Sequence, residues 1–413
     1  MSKLKLVSLL TAHCSLLCVL CVCAVNRDAY AADWSFTPSV SLSQSYDSNF
    51  QFITTPTPGT TKSDYITSLT PVLSVTGETE QTKFQFDTIT SAQSYIENPR
   101  FDIVNENATA SLTEIWSQRF STSVNLGLMH DSTLQEQLEA SGIVSQWTER
   151  YVYIFGLGGK YDLSESLSLA VSGLLADTIF PSGTFPNSDV YQGTITPTWA
   201  VTPLDNIGLS SNFSDTAYNN ATTIKSVTET LFWQRQMTDT LSFKLSGGYY
   251  FSIIDFTVPA LEFVPPNSIR FVQLPKTANE GGLVYGADLT KDWTERFSTT
   301  FSAGKQQYND VNAQSFDSTF ISGTVRYRLS EKTTFNFLAR YNMNDELSTG
   351  NLTTDYYIIS PSIETNITEN LLLRLSGSYE SETQSPSTSA SNIDRYRTWA
   401  DLVYKWPRFL ASH

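Results

Sequence analysis

From Trp34 onward the chain alternates between apolar and polar residues with a period of two. Trp34, Phe36, Pro38, Val40 and Leu42 are interleaved with Ser35, Thr37, Ser39, Ser41 and Ser43. Successive side chains of a strand point to opposite faces, so this segment has one apolar face and one hydroxyl face. The same design returns at Leu167-x-Leu169-x-Val171, Leu241-x-Phe243-x-Leu245, Phe335-x-Phe337 and Leu371-x-Leu373-x-Leu375. A soluble sandwich also alternates. The segments here run to about 11–15 residues, however, against about five or six in soluble domains.

The connections alternate too. Short turns rich in Asp, Glu, Thr and Asn lie at 77–82, 117–119, 162–165, 202–206, 236–239, 291–295, 330–332 and 366–369. Longer, looser stretches lie between them, at 52–62, 132–145, 181–188, 256–277 and 383–391. Short turns on one side and long loops on the other are the pattern of outer-membrane barrels, with the short side periplasmic. The predicted fold is all-β: a single-chain transmembrane antiparallel β-barrel over 32–413, with both ends periplasmic. The turns give about 18 strands, and the spacing also accommodates 16. Three descending strands open on an aromatic and carry a proline (Tyr65 and Pro71, Tyr191 and Pro197, Tyr357 and Pro361), which predicts bulges near the rim.

Tryptophan placement sharpens this reading. Trp34, Trp116, Trp199, Trp233, Trp293 and Trp406 all fall at predicted periplasmic strand ends or turns. An indole there buries its ring at the acyl boundary while its N–H reaches headgroups or water, which makes an aromatic girdle. Tryptophans of a soluble core would not gather at one end.

Composition agrees. Charged residues make up 16% of the chain, against roughly 25% in a typical soluble domain, while aromatics reach 13%. Mean hydropathy is nevertheless −0.19. A lipid-facing skin around a wet interior has that combination. Beyond the N-terminal segment no run reaches the 18 or so apolar residues of a membrane helix. Lys3 and Lys5 precede an apolar run over 6–25, and Ala29-Tyr30-Ala31 offers a small–x–small site. The reading is a signal peptide over 1–31, cleaved near Ala31. A lipid anchor fits poorly, because Leu17 and Val22 precede Cys18 and Cys23. All four cysteines (Cys14, Cys18, Cys21 and Cys23) belong to that segment, so residues 32–413 can form neither a disulfide nor a thiolate metal site. The expected location is the outer membrane of a Gram-negative bacterium, in contact with its lipid.

A barrel this large leaves a water-filled lumen, and parity then nominates its wall. Arg326, Arg328, Arg340, Arg374, Arg395, Arg397, Trp399, Asp401 and Lys405 fall on the polar parity, as do Lys244, Arg150 and Lys160. One reading is a track of guanidinium groups and rings for anionic or sugar-rich solutes. The other is pairing of these arginines across the lumen with carboxylates such as Asp401 and Glu364. The safer collective statement is a polar, non-sieving conduit. The stretch 256–277 carries Pro259, Pro265, Pro266 and Pro275 among Leu261, Phe263, Val264, Ile269, Phe271 and Val272. So apolar a tip is expected to fold into the pore, cover its mouth or meet a partner.

No enzyme emerges. His130-Asp131-Ser132 is similar to the histidine–x–serine pair of outer-membrane phospholipases, but Thr133-Leu134-Gln135 replaces the Asn-Gly element that follows there. Apart from His130, only His413 lies beyond the leader, so no metal or cofactor site is predicted. No basic stripe suits nucleic acid.

Phe36-x-Pro38-x-Val40-x-Leu42 followed by Tyr46-Asp47-Ser48-Asn49 resembles the opening of the β-barrel porin family associated with exopolysaccharide gene clusters. The usual ending there is Tyr-Asp-Asp-Asn, from which Ser48 departs. The resemblance implies an outer-membrane conduit for export of a secreted polysaccharide, with a periplasmic polysaccharide export protein as partner. A general or solute-selective diffusion porin, or the porin sheath of an outer-membrane cytochrome conduit, shares the same strand plan.

Overall fold

The computed structural model describes residues 33–55, 58–132, 147–264, 268–347, 352–386 and 391–411. The expected signal peptide, His413, and Pro265 and Pro266 lie outside them. The first strands are β1 (Asp33–Asp47), β2 (Asp64–Glu78), β3 (Thr82–Tyr95), β4 (Ile103–Ser117), β5 (Phe120–Ser132) and β6 (Glu149–Asp162). Next come β7 (Leu167–Ile179), β8 (Ser188–Ala200), β9 (Asp205–Tyr218), β10 (Thr222–Thr238), β11 (Leu241–Val264) and β12 (Ser268–Thr294). The last are β13 (Phe297–Asn309), β14 (Ser315–Arg328), β15 (Thr333–Glu346), β16 (Leu352–Asn366), β17 (Leu371–Pro386), β18 (Ser391–Lys405) and the short β19 (Phe409–Ala411).

Each strand pairs antiparallel with the next, and β1 also pairs with β18, from Ser39↔Lys405 to Asp47↔Arg397. The sheet therefore has no free edge there. It is an 18-strand antiparallel barrel, to which β19 adds three residues beside the start of β1. Among the described residues no helix is long and apolar enough to cross a membrane. All backbone hydrogen bonding across the bilayer is thus carried by the closed ladder, as it must be where water is absent.

One parity of nearly every strand leaves large apolar side chains uncovered: Leu42, Leu69, Leu157, Leu175, Ile195, Leu231, Leu245, Leu283, Ile321 and Leu402 are examples. In a closed sheet this face can only be the outer one, since such a surface is tolerable only against lipid. An apolar groove of about 580 Å³ on this face, between Leu157, Gly193 and Phe213, belongs to the lipid-covered surface. Near mid-strand the outer face carries a carboxylate at Glu229, whose Oε2 accepts from Ser211 Oγ at 2.6 Å.

The ends of the outer face differ. Tyr46, Tyr65, Tyr153, Tyr191, Tyr357 and Tyr396 lie toward the long loops and are exposed. Toward the short turns lie the exposed rings of Trp116, Trp199, Trp233, Trp293 and Trp406. Trp34 is half-buried because its ring lies over Gly77, its cross-strand partner, where a Cβ would come within 2.8 Å. Trp116 and Trp293 occupy register shifts, between Ile115 and Ser117 and between Asp292 and Thr294. Each indole then donates to a threonine six residues on: Trp116 Nε1 to Thr122 Oγ1 at 2.8 Å, and Trp293 Nε1 to Thr299 Oγ1 at 3.0 Å.

A third register shift falls at Met237, between Gln236 and Thr238, so the bulges lie beside the short turns and not at the prolines. At Pro71, Pro197 and Pro361 pairing lapses for two residues on one side and resumes in the same register. A proline lacks one donor, which removes a ladder bond without inserting a residue.

The largest departure from expectation is 256–277. It is not an irregular loop. β11 and β12 continue as a regular ladder from Leu241↔Lys291 to Val264↔Ser268, whereas β12 pairs with β13 only from Tyr285 to Thr294. The upper part is thus a two-stranded hairpin with free edges, which is where Pro259 and Pro275 are tolerated. Replacing 259–273 by a two-residue turn is expected to leave heat-modifiable migration and single-channel conductance unchanged. Loss of either would assign the hairpin a role in the pore.

Candidate functional site

The inner wall is lined by the opposite parity, and its extracellular half is not an open bore. The loop after β1 turns inward. Asp47 Oδ1 accepts from Asn49 N at 2.9 Å, and the Asn49 side chain both accepts from Ile53 N at 3.1 Å and donates to Ile53 O at 3.0 Å. Phe52 then takes a left-handed backbone, φ 53°. Both apolar rings of the loop are enclosed, Phe50 at 2% and Phe52 at 1% exposure. Phe52 packs on Tyr356 and Ile393, from β16 and β18. Phe50 packs on Tyr95 of β3 and on Phe101, which Trp147 meets edge-on at 5.2 Å. Sequence periodicity gave no hint of this. The signal was two phenylalanines in a loop that would otherwise stand in water.

The wall also leans inward opposite that loop. Above Tyr285, β13 and β14 leave β12 and pass inside β11. Tyr250, on the inner face of β11, donates to Asp317 Oδ1 at 2.7 Å, and Ser252 Oγ donates to Gln307 Oε1 at 2.9 Å. Tyr218 Oη reaches Asp310 O at 3.3 Å, and Lys305 pairs with Asp317 at 2.6 Å. Lys305, Gln307 and Asp317 have outward parity, yet they face protein and not lipid. In the loop beyond β13, burial pushes the Asp310 carboxyl above its ordinary range, against hydrogen bonds from Gln314 and Asn312 that pull it down.

Part of the wall expected to face a water-filled lumen is covered. Among the described residues the inner wall near the long loops is dry: Phe316, Ser318, Asn342, Thr354, Tyr356, Glu380 and Glu382 are all enclosed. Glu382 Oε2, Asn342 Nδ2 and Thr354 Oγ1 have no hydrogen-bond partner there.

Most charged candidates on the wall are paired, with a neighbouring strand or within their own, and not across the lumen. Arg395 grips Asp47 with Nε at 2.9 Å and with Nη2, and its Nη1 lies 3.5 Å from Glu380 Oε2. Arg397 gives Nε and Nη2 to Glu380 Oε1 at 3.0 and 2.6 Å, and its guanidinium lies 5.5 Å from the Trp399 ring. Arg374 meets Glu364 at 3.3 Å and Asp401 at 3.9 Å. Arg150 pairs with Asp131 at 2.7 Å, and Lys160 with Asp162 at 3.2 Å. Arg340 donates to Asn342 Oδ1 at 2.9 Å and lies over Phe320. Lys244 lies over Phe232. Lys405 is exposed beside Ser39 at the periplasmic end. Arg326 and Arg328 sit at the periplasmic mouth, apart from the others.

Asp47 and Glu380 complete the buried cluster and were missed as site residues. Glu380 shares the parity of Arg374, so it was findable; Asp47 stood in the motif at the end of β1.

His130 carries no catalytic arrangement. Its ring stacks flat on Tyr151 at 4.5 Å, its Nε2 lies 4.0 Å from Glu149 Oε2, and neither ring nitrogen has a hydrogen-bond partner among the described residues. No group of three His, Cys, Asp or Glu among the described residues could hold a metal ion.

No protein-family model and no curated protein sequence matches the chain. It is similar to solved outer-membrane porins. Pseudomonas aeruginosa OpdQ is 11% identical, with 92% of this chain and all 100% of that one covered, at a TM-score of 0.46. Acinetobacter baumannii OccAB2 is 11% identical, with 92% and 99% covered, at 0.46. Pseudomonas aeruginosa OccK2, solved in complex with glucuronate, is 9% identical, with 91% and 98% covered, at 0.46. Likeness at this level does not reach to what passes through the present chain.

Proposed function

We propose that the chain is a passive outer-membrane channel, in a Gram-negative bacterium, that admits small hydrophilic solutes selectively. The observation that carries this reading is the contrast along the bore. The barrel has a lipid-suited outer face and a hydroxyl-rich, charged inner face, but its extracellular half is narrowed by the Phe50–Phe52 loop and by the inward lean of β13 and β14. A narrowed polar bore sorts solutes by size and by hydrogen bonding. A polymer or a protein guest needs an unobstructed one.

Export of a secreted polysaccharide, with a periplasmic export protein as partner, keeps the sequence resemblance as its support. Within that motif, Asp47 and Asn49 are engaged in holding the inward loop. A cytochrome sheath would need an empty lumen, which the enclosed side chains of β14–β17 oppose.

Swelling of proteoliposomes in monosaccharides, amino acids and longer oligosaccharides tests the reading. Entry of the small solutes with exclusion of the oligosaccharides is expected. Absence of any solute flux, or loss of secreted polysaccharide from a deletion strain with normal small-solute uptake, would overturn it in favour of export.

A further inference from the structure

The arginines of the inner wall differ in their partners, Arg340 being held by Asn342. Arg150, Arg374, Arg395 and Arg397 each have a carboxylate partner, so their charge is largely cancelled where it stands. Arg326 and Arg328 of β14, with Arg296 in the turn before β13, have no ion pair among the described residues. The register explains the difference. The partners of Arg326 are Ser298 on β13 and Asn336 on β15, and the β15 partner of Arg328 is Thr334. Of the acids near this end, Glu364 already accepts from Asn336 Nδ2 at 2.9 Å and from Arg374, and Asp292 lies beyond Ser298 in the same row as Arg326 without an ion pair to it.

Arg326 and Arg328 are two residues apart on one strand, hence about 7 Å apart on one face. Arg328 N donates to Arg296 O at 2.7 Å, which seats the turn arginine beside them. The three line a cavity of about 520 Å³ at the periplasmic end, together with Ser298 and Lys291 and, on the side toward the rim, the rings of Trp293 and Phe297. Lys291 Nζ donates to Thr240 Oγ1 at 2.8 Å. Asp292 and Glu295 also border the cavity and are paired with none of the arginines. Positive charge prevails.

We propose that this cavity is an anion-binding site, taking phosphate- or carboxylate-bearing solutes at the periplasmic mouth. The proposal rests on the channel reading and names its solute class. Guanidinium forks match both oxyanions and give charge-assisted hydrogen bonds. The site is open to water, so its hold is screened by salt and reversible, as a transit site requires. The same chemistry would serve a phospholipid headgroup of the inner leaflet, which the inward parity of Arg326 and Arg328 disfavours.

The test is calorimetric titration of inorganic phosphate into the purified protein in phosphatidylcholine nanodiscs, alongside conductance in planar bilayers. Saturable binding at low salt is expected, weakened roughly tenfold by each of R296Q, R326Q and R328Q and by added KCl. The variant K83Q, which removes one exposed charge elsewhere, should bind as the unaltered chain does. Absence of binding, or unchanged binding in the triple variant, overturns the site. Displacement of phosphate by phosphatidylglycerol in the nanodisc assigns the cavity to a lipid headgroup and overturns the solute proposal. Conduction without phosphate binding removes the site and leaves the channel. Phosphate binding without conduction removes the channel.

Discussion

Replacing Arg395 with methionine is expected to lower the free energy of unfolding by about 3–5 kcal/mol, the usual consequence of removing one partner from a buried ion pair. Arg395 is the cation that neutralises Asp47, and both lie in an enclosed layer with Glu380. Arg397 still serves Glu380 in the variant, through contacts at 2.6 and 3.0 Å. Asp47 is left without a counter-charge and cannot reach water. Urea or guanidinium unfolding in lipid vesicles measures the loss. Adding Asp47→Asn to the methionine variant removes the stranded charge, so the double variant should recover part of the stability. If single and double variants unfold together, the cost lies in packing and the charge pair is not what holds the seam.

Truncating Phe50 and Phe52 to alanine should raise single-channel conductance several-fold. Both rings are fixed inside the lumen, and Phe52 keeps a left-handed backbone, a conformation that costs a non-glycine residue roughly 1–3 kcal/mol. Its aromatic packing offsets that strain. Without the rings the loop loses its apolar anchor and keeps only polar ties, from Asn49 to Ile53 and Asp394 O and from the backbone of Ser48 and Phe50 to Tyr396 and Lys62. Leu42→Ala, on the lipid side of β1, which leads into the loop, is the comparison and should leave conductance alone. Unaltered conductance in the double alanine variant would place the narrowest point elsewhere and weaken the channel reading with it.

The strand plan was legible because alternation is a local property. Leu371-x-Leu373-x-Leu375 marks the start of β17 at the residue where it begins, and the acidic turns mark the periplasmic side. The tryptophans at strand ends were legible for the same reason. What parity cannot express is a wall that leaves the cylinder. Lys305 and Asp317 alternate as outward residues, and only the loss of β12–β13 pairing above Tyr285 turns them toward β11. The long hairpin was read as a loop because prolines and mixed residues blur its period, a pattern permitted where each strand has a free edge. The charged wall was half legible. Its residues could be named, but whether an arginine is cancelled depends on its cross-strand neighbour, as the contrast between Arg374 beside Glu364 and Arg326 beside Asn336 shows.

Asp47 and Arg395 are 348 positions apart, and the bond between them spans the joint of β1 with β18. Synthesis therefore delivers one half of this clasp near the beginning of the chain and the other near the end. Until the C-terminal segment arrives, the opening strand keeps a raw margin and an uncompensated acid, however well its other neighbours are matched. A translation product halted before residue 391 would carry both faults at once, which gives the cell's insertion and degradation machinery a physical mark of incompleteness.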